Sequence, residues 1–202
     1  MRLAVLLSGR GSNFAAILAA TRDRSLDAQI VCVISNRPDA AGLQRARDAG
    51  LTAHVFDHRK YATRVEHEED MLRALAEAEP DFICLAGYMR LLSPAFIAAY
   101  PQRIINIHPS LLPAFPGVDA QAQAIAYGVK VSGCTVHFVD ENLDAGPIIV
   151  QRTIEVKDDD TPESLSARIL AQEHEAYVEA LRKIARGYKI EGRRVFFDDS
   201  GS

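Results

Sequence analysis

At 202 residues, with 48% hydrophobic and 25% charged side chains, the chain is long enough for one substantial core and has the balance of a soluble globular protein. Its net charge of −4 argues against a general nucleic-acid binder, which is usually basic. No apolar run approaches the roughly 18 residues that cross a bilayer, so neither nucleic acid nor a membrane is an expected partner. The first strand-like run ends already at Ser8-Gly9, too short for a signal peptide, and a cytoplasmic location is expected.

In chain order, Leu3 to Leu7 reads as a continuous apolar strand, Ser8-Gly9-Arg10-Gly11-Ser12-Asn13 as a turn, and Phe14 to Thr21 as a helix. Ile30 to Ile34 is a second strand, Ala41 to Ala49 a helix and Ala53 to Phe56 a short strand. Tyr61 to Glu77 is a long helix with a charged face, closed by Pro80, and Phe82 to Ala86 and Ile104 to Ile107 are further buried strands. Continuous apolar strands alternating with helices predict a Rossmann-like α/β fold: a mostly parallel twisted sheet with helices on both faces. The pattern then changes. A helix over Gly117 to Tyr127 precedes strands at Val131 to Val139 and Ile148 to Val156, which can pair as an antiparallel extension in the C-terminal half. Thr161-Pro162-Glu163-Ser164 starts a helix that can run to about Arg186, and Tyr188 to Ile190 with Val195 to Phe197 can form a small hairpin. No repeat or linker is evident, so a single domain over 1–202 is expected, with halves 1–100 and 101–202.

Cys32, Cys84 and Cys134 are far apart, each in an apolar run, as suits reduced buried thiols; no Cys-x-x-Cys or clustered His points to a metal. The strand, glycine turn and helix at 3–21 would present backbone N–H groups to an anion. A dinucleotide fingerprint fails, because Phe14 stands at the third glycine position and Ser35-Asn36-Arg37 lacks the acid expected after the second strand. A Walker loop fails for want of Gly-Lys-Ser/Thr, so a phosphate monoester is favoured over NAD or ATP. In Asn106-Ile107-His108-Pro109-Ser110-Leu111-Leu112-Pro113, Asn106 and His108 lie two residues apart on a strand and share a face. Asn can donate to a developing oxyanion and His can move a proton near neutral pH; a buried, hydrogen-bonded structural His is the plainer alternative. Asp144, ahead of Ala145-Gly146-Pro147, sits in a turn that can aim its carboxylate, or simply in a solvated acidic loop. His54, His58, His67 and His137 have no metal-ligand spacing and read as structural or exposed.

The Asn-x-His-Pro-Ser-Leu-Leu-Pro run resembles the signature of the folate-dependent formyltransferases, and the loop at 8–13 resembles the phosphate loop of the branch acting on glycinamide ribonucleotide. The resemblance covers nearly the whole chain. Branches with a C-terminal barrel or an N-terminal regulatory domain leave no room for those extensions here. It implies transfer of a formyl group from 10-formyltetrahydrofolate to the amine of glycinamide ribonucleotide, a step of de novo purine biosynthesis, with no metal. By resemblance Asn106, His108 and Asp144 are catalytic, and Gly11, Ser12 and Asn13 hold the 5′-phosphate, with Glu173 at the ribose. Arg64 meets the folate's glutamate, while Leu85, Met89, Arg90, Leu92, Val139, Asp140 and Glu141 enclose its pterin end. From the residues alone, Arg64 and Glu173 read equally as solvated helix positions, and Leu85 and Met89 as core. Two departures stand out: Val118-Asp119-Ala120-Gln121 holds no histidine where many relatives do, and Leu170 replaces a polar partner of the phosphate. Formyl transfer to an amino-sugar nucleotide is opposed by Gly11-Ser12-Asn13. A non-catalytic binding module is opposed by the joint presence of Asn106, His108 and Asp144. Oligomeric state is not legible, and a homodimer stays open.

Overall fold

The computed structural model describes residues 1–198. The chain divides into two compact units, Met1–Ile105 and the residues from Asn106 onward.

In the first unit, β1 (Arg2–Leu7), β2 (Gln29–Ser35), β3 (Ala53–Val55) and β4 (Phe82–Leu85) lie in the order β3-β2-β1-β4, all parallel. Leu3 to Leu7 have no exposed surface, because a parallel strand covered on both faces has no solvent side. The chain winds outward from β1 to β3 through α1 (Ser12–Arg22) and α2 (Ala41–Asp48), then returns through α3 (Arg64–Ala78) to β4. With right-handed crossovers, α1 and α2 cover one face and α3 the other. The winding direction reverses between β1 and β4, and beyond the carboxyl ends of such a pair lies the crevice where open α/β sheets take ligands. This is the doubly wound arrangement that the apolar strand runs predict.

Two details of this unit differ from the sequence reading. The long helix begins at Arg64, not Tyr61, because Thr63 is extended (φ −133°) and caps it: Thr63 Oγ1 accepts from Glu66 N at 3.2 Å while the Glu66 carboxylate accepts from Thr63 N at 3.3 Å. A 3₁₀ turn, His58–Lys60, precedes it. A helix that periodicity does not reveal, α4 (Pro94–Ala99), has six residues; its only sequence mark is Ser93-Pro94, and Ser93 Oγ accepts from Phe96 N.

The second unit takes in residues 106–108 of β5 (Ile104–His108) and runs in the strand order β5-β6-β7-β9-β8. β6 (Val131–Phe138) and β7 (Ile148–Glu155) are antiparallel, with a register shift between Val136 and His137. β8 (Tyr188–Glu191) and β9 (Arg194–Phe197) form the small hairpin expected, and β9 joins β7 at Ile148. The helix expected from Gly117 starts only at Ala120: α5 (Ala120–Tyr127) cannot extend back through Gly117 (φ +83°) and Asp119 (φ +55°). α6 (Pro162–Ala185) packs Leu165, Ile169, Tyr177, Leu181 and Ile184 inward and rests on β6 and β7. Arg152 of β7 reaches Glu179 of α6 at 2.8 Å.

Cys32, Cys84 and Cys134 are free and buried, and burial pushes the Cys32 and Cys134 thiols up to about 11 and about 12. Among the described residues no helix is long and apolar enough to cross a membrane. Gly133 of β6 lies against the neighbouring backbone, where a Cβ would stand 1.9 Å from the Arg152 carbonyl oxygen. Gly133→Ala therefore forces β6 from β7, and a loss of about 3 kcal/mol is expected in urea denaturation.

Candidate active site

β5 carries Asn106 and His108 to one face of a strand that then turns at Pro109. His108, 5% exposed, stands between two partners. Its Nε2 donates to the Phe115 carbonyl at 2.8 Å, and its Nδ1 lies 3.4 Å from Asp144 Oδ2. Asp144 projects from the loop between β6 and β7 in a left-handed conformation (φ +49°), and the same Oδ2 accepts from Gly117 N at 2.8 Å. A carbonyl can only accept, so Nε2 carries a proton. Asp144 stands beside Nδ1, and a second proton there would make the two an imidazolium–carboxylate pair. Both ring nitrogens are thus engaged, and His108 can donate to an incoming oxygen only by sharing or releasing one of these contacts.

A fourth member, His137 of β6, is 2% exposed. Its Nε2 lies 3.3 Å from Asn106 Nδ2 and 3.8 Å from Asp144 Oδ1, and its Nδ1 donates to the Phe138 carbonyl at 2.8 Å. The sequence reading placed His137 with the structural or exposed histidines. It is buried and bonded to backbone, as a structural histidine is, and the structure sets it beside the three residues expected to do the chemistry. Only the lateral placement of β6 beside β5 brings 137 to 106, and no local spacing encodes that. His67 does prove structural, buried with Nε2 donating to the Phe56 carbonyl.

In the first unit, the loop 8–13 joins β1 to α1 at the reversal of winding. Gly11 is the N-cap of α1 (φ +68°), and having no side chain it supplies no capping oxygen to the first-turn N–H groups. No acidic side chain lies in that turn, so the helix N-terminus keeps its positive character. The loop is pinned on three sides. Ser8 N donates to the Gly87 carbonyl at 3.0 Å, Ser8 Oγ donates to Asn36 Oδ1 at 2.6 Å, and Gly42 N donates to the Gly9 carbonyl at 3.0 Å. Met89 N in turn donates to Ser8 Oγ at 2.8 Å. Ser8 and Asn36, which the sequence reading did not assign to the site, are its scaffold.

The remaining expected positions are scattered in character. Arg64 Nε pairs with buried Glu68 at 3.0 Å, and Glu68 also accepts from Ser93. Leu85 belongs to the core, Met89 is 79% exposed, and Arg90 and Leu92 are half-buried. In the second unit Glu173 is buried on α6, Val139 and Asp140 are half-buried, and Glu141 is exposed. Among the described residues no group of three or more His, Cys, Asp or Glu is placed to hold a metal ion.

The family model described as "Formyl transferase" matches residues 1–181. A trifunctional purine biosynthetic protein adenosine-3 of Drosophila melanogaster is 48% identical over 188 residues, which are 92% of this chain but 14% of that protein. The chain thus spans less than a fifth of such trifunctional relatives. A phosphoribosylglycinamide formyltransferase of Bacillus subtilis is 42% identical over 183 residues, 91% of this chain and 94% of the relative. The crystal structure of glycinamide ribonucleotide transformylase 1 from Symbiobacterium toebii, 50% identical, superposes with a TM-score of 0.96 over 98% of this chain and 94% of that one.

Burial holds three histidines, His67, His137 and His174, below their ordinary value of 6.5. The folded state therefore prefers them neutral, and the unfolded chain takes up these protons first as pH falls. The stability they confer is full above about pH 7 and is lost as pH drops through 6.5 and below. Carboxylates held low, such as Asp57 at about 2, act only in stronger acid. The urea midpoint is expected to fall between pH 7.5 and pH 5.5, where a chain without such histidines would stay level.

Proposed function

The chain belongs to the formyl transferase family, and on that premise we propose that it transfers the formyl group of 10-formyltetrahydrofolate to the amine of glycinamide ribonucleotide in de novo purine biosynthesis. The observation that carries this reading is the grouping of half-buried Asn106 and Asp144 around buried His108, a donor beside a pair that can hold a proton, in a chain that also has an uncapped glycine N-terminus suited to a phosphate. A pure binding module needs no such pair.

In the proposed reaction the neutral amine attacks the formyl carbon, forming a C–N bond and a tetrahedral intermediate. The second N–H of Asn106 Nδ2 donates to the oxyanion, a contact worth about 2.7–4 kcal/mol in comparable sites. His108, once it shares or exchanges its bond to Phe115, supplies a second donor. Asp144, directly or through water, takes the proton that the attacking amine sheds and passes it to the folate nitrogen as the old C–N bond breaks. Holding both substrates in place contributes on the order of 7–11 kcal/mol. No nucleophilic side chain is required.

Gly11, Ser12 and Asn13 are proposed to take the 5′-phosphate and Glu173 the ribose. Arg64 would meet the folate's glutamate by exchanging its pairing with Glu68. Leu85, Met89, Arg90, Leu92, Val139, Asp140 and Glu141 are proposed around the pterin end.

The reading is tested by single-turnover formylation of glycinamide ribonucleotide, wild type beside Asp144→Asn. The amide keeps an acceptor for Gly117 N but cannot take the proton, and a loss of about 100-fold or more is expected. A wild type that binds the folate yet leaves this amine unformylated would overturn the acceptor assignment. Gly11→Ala must place a side chain at φ +68° and 3.0 Å from Gly42 Cα. It is expected to raise the KM for the ribonucleotide at least tenfold while leaving that for the formyl donor within twofold, read from steady-state kinetics.

A further inference from the structure

We propose that His137 is a positioning residue that fixes which end of the Asn106 amide faces the reacting oxygen. The inference rests on the formyl-transfer reading above and adds a residue to it.

The Phe138 carbonyl, 2.8 Å from His137 Nδ1, can only accept, so the ring's proton sits on Nδ1. In the neutral ring, Nε2 then has a lone pair and nothing to donate. An amide at 3.3 Å has one orientation that fits: Nδ2 toward the imidazole, donating. The reverse orientation would set the Oδ1 lone pairs against that of Nε2 on a ring that is itself out of water. Which atom of an amide is nitrogen is settled here by the hydrogen-bond chain itself. One N–H of Nδ2 is used by His137 and its partner N–H remains for an oxyanion. A flipped amide would offer that oxyanion an oxygen.

The surroundings keep the ring in this state. His137 is 2% exposed, and burial lowers its affinity for a second proton. The charged groups that face it are Asp144, with Oδ1 at 3.8 Å, and beyond it His108 and Asp140; the two carboxylates favour charging and His108 opposes it. The register shift between Val136 and His137 is the kind of irregularity that re-aims a side chain. The Phe138 carbonyl is left its space by Gly146, where a Cβ would stand 1.8 Å from the oxygen. The acceptor that sets the tautomer thus depends on the turn that follows Asp144.

The test has two arms. The first is nitrogen-15 NMR of the wild-type imidazoles at pH 7.5, which needs no substrate. His137 is expected as the neutral tautomer protonated on Nδ1; a proton on Nε2, or a cation, overturns the proposal whatever reaction the protein catalyses. The second is steady-state formylation of glycinamide ribonucleotide by His137→Phe, His137→Gln, and His137→Phe in an Asn106→Ala background. His137→Phe should lower kcat by about 100-fold, the range for losing one oxyanion donor, with both KM values within twofold. His137→Gln, which restores an acceptor, should recover most of kcat, and the double variant should be no slower than Asn106→Ala alone. A His137→Phe enzyme within twofold of wild-type kcat overturns the proposal. So does a further loss in the Asn106→Ala background, since the ring would then act other than through the amide. Wild-type protein with the expected tautomer but no formylation would instead remove the functional reading and leave the amide geometry standing.

Discussion

A carboxylate and two imidazoles taken out of water must find a partner for every proton and lone pair, and that requirement organises the second unit. Asp144 would be costly to bury alone. It is compensated by Gly117 N–H and by His108 Nδ1, while His108 discharges its other proton onto the Phe115 carbonyl. Two turns that no regular element requires, 115–117 and 144–147, are held in unusual backbone conformations by these contacts: Phe115 at φ +52°, Gly117 at +83° and Asp144 at +49°. The late start of α5 follows from the same constraint, since the chain must first deliver the Phe115 carbonyl and the Gly117 amide to the site.

The arrangement also says what must move. His108 is fully occupied, so a role as donor to an oxyanion requires it to exchange a partner, and the Phe115 carbonyl is the weaker claim of the two because it carries no charge. Asn106 is different. On the proposed reading, His137 takes one of its N–H groups and leaves the other as a donor fixed before any substrate arrives.

The first unit meets a different constraint, a tight passage from a buried strand into a helix. Parallel strands end in a row, and at the reversal of winding the turn after β1 must pass tightly into a helix. Gly11 permits the left-handed N-cap, and Gly42 lets α2 approach it, with the two residues' backbones in contact. Ser8 and Asn36 then tie the turn to the ends of β2 and β4. The result is a turn tied on three sides ahead of an uncapped helix N-terminus, whose free N–H groups are of the kind that suit an anion.

Much of this was legible in the chain itself. Continuous apolar runs such as Leu3 to Leu7 can only be strands covered on both faces, the period-two spacing of Asn106 and His108 puts them on one face, and Thr161-Pro162 announces α6. Those are local facts, set by backbone stereochemistry and side-chain alternation. The meeting of His137 with Asn106 is not legible, because the two lie 31 positions apart on neighbouring strands and strand order is a property of the whole sheet. Ser8 and Asn36 were passed over for the same reason, and α4 because six residues are too few to show a period. The sequence by itself determined most of the element types, the glycine turn and the shared face of Asn106 and His108. Only the tertiary structure decided which strands adjoin, and so which protons meet which lone pairs, because register and lateral order depend on long-range packing that no local spacing records.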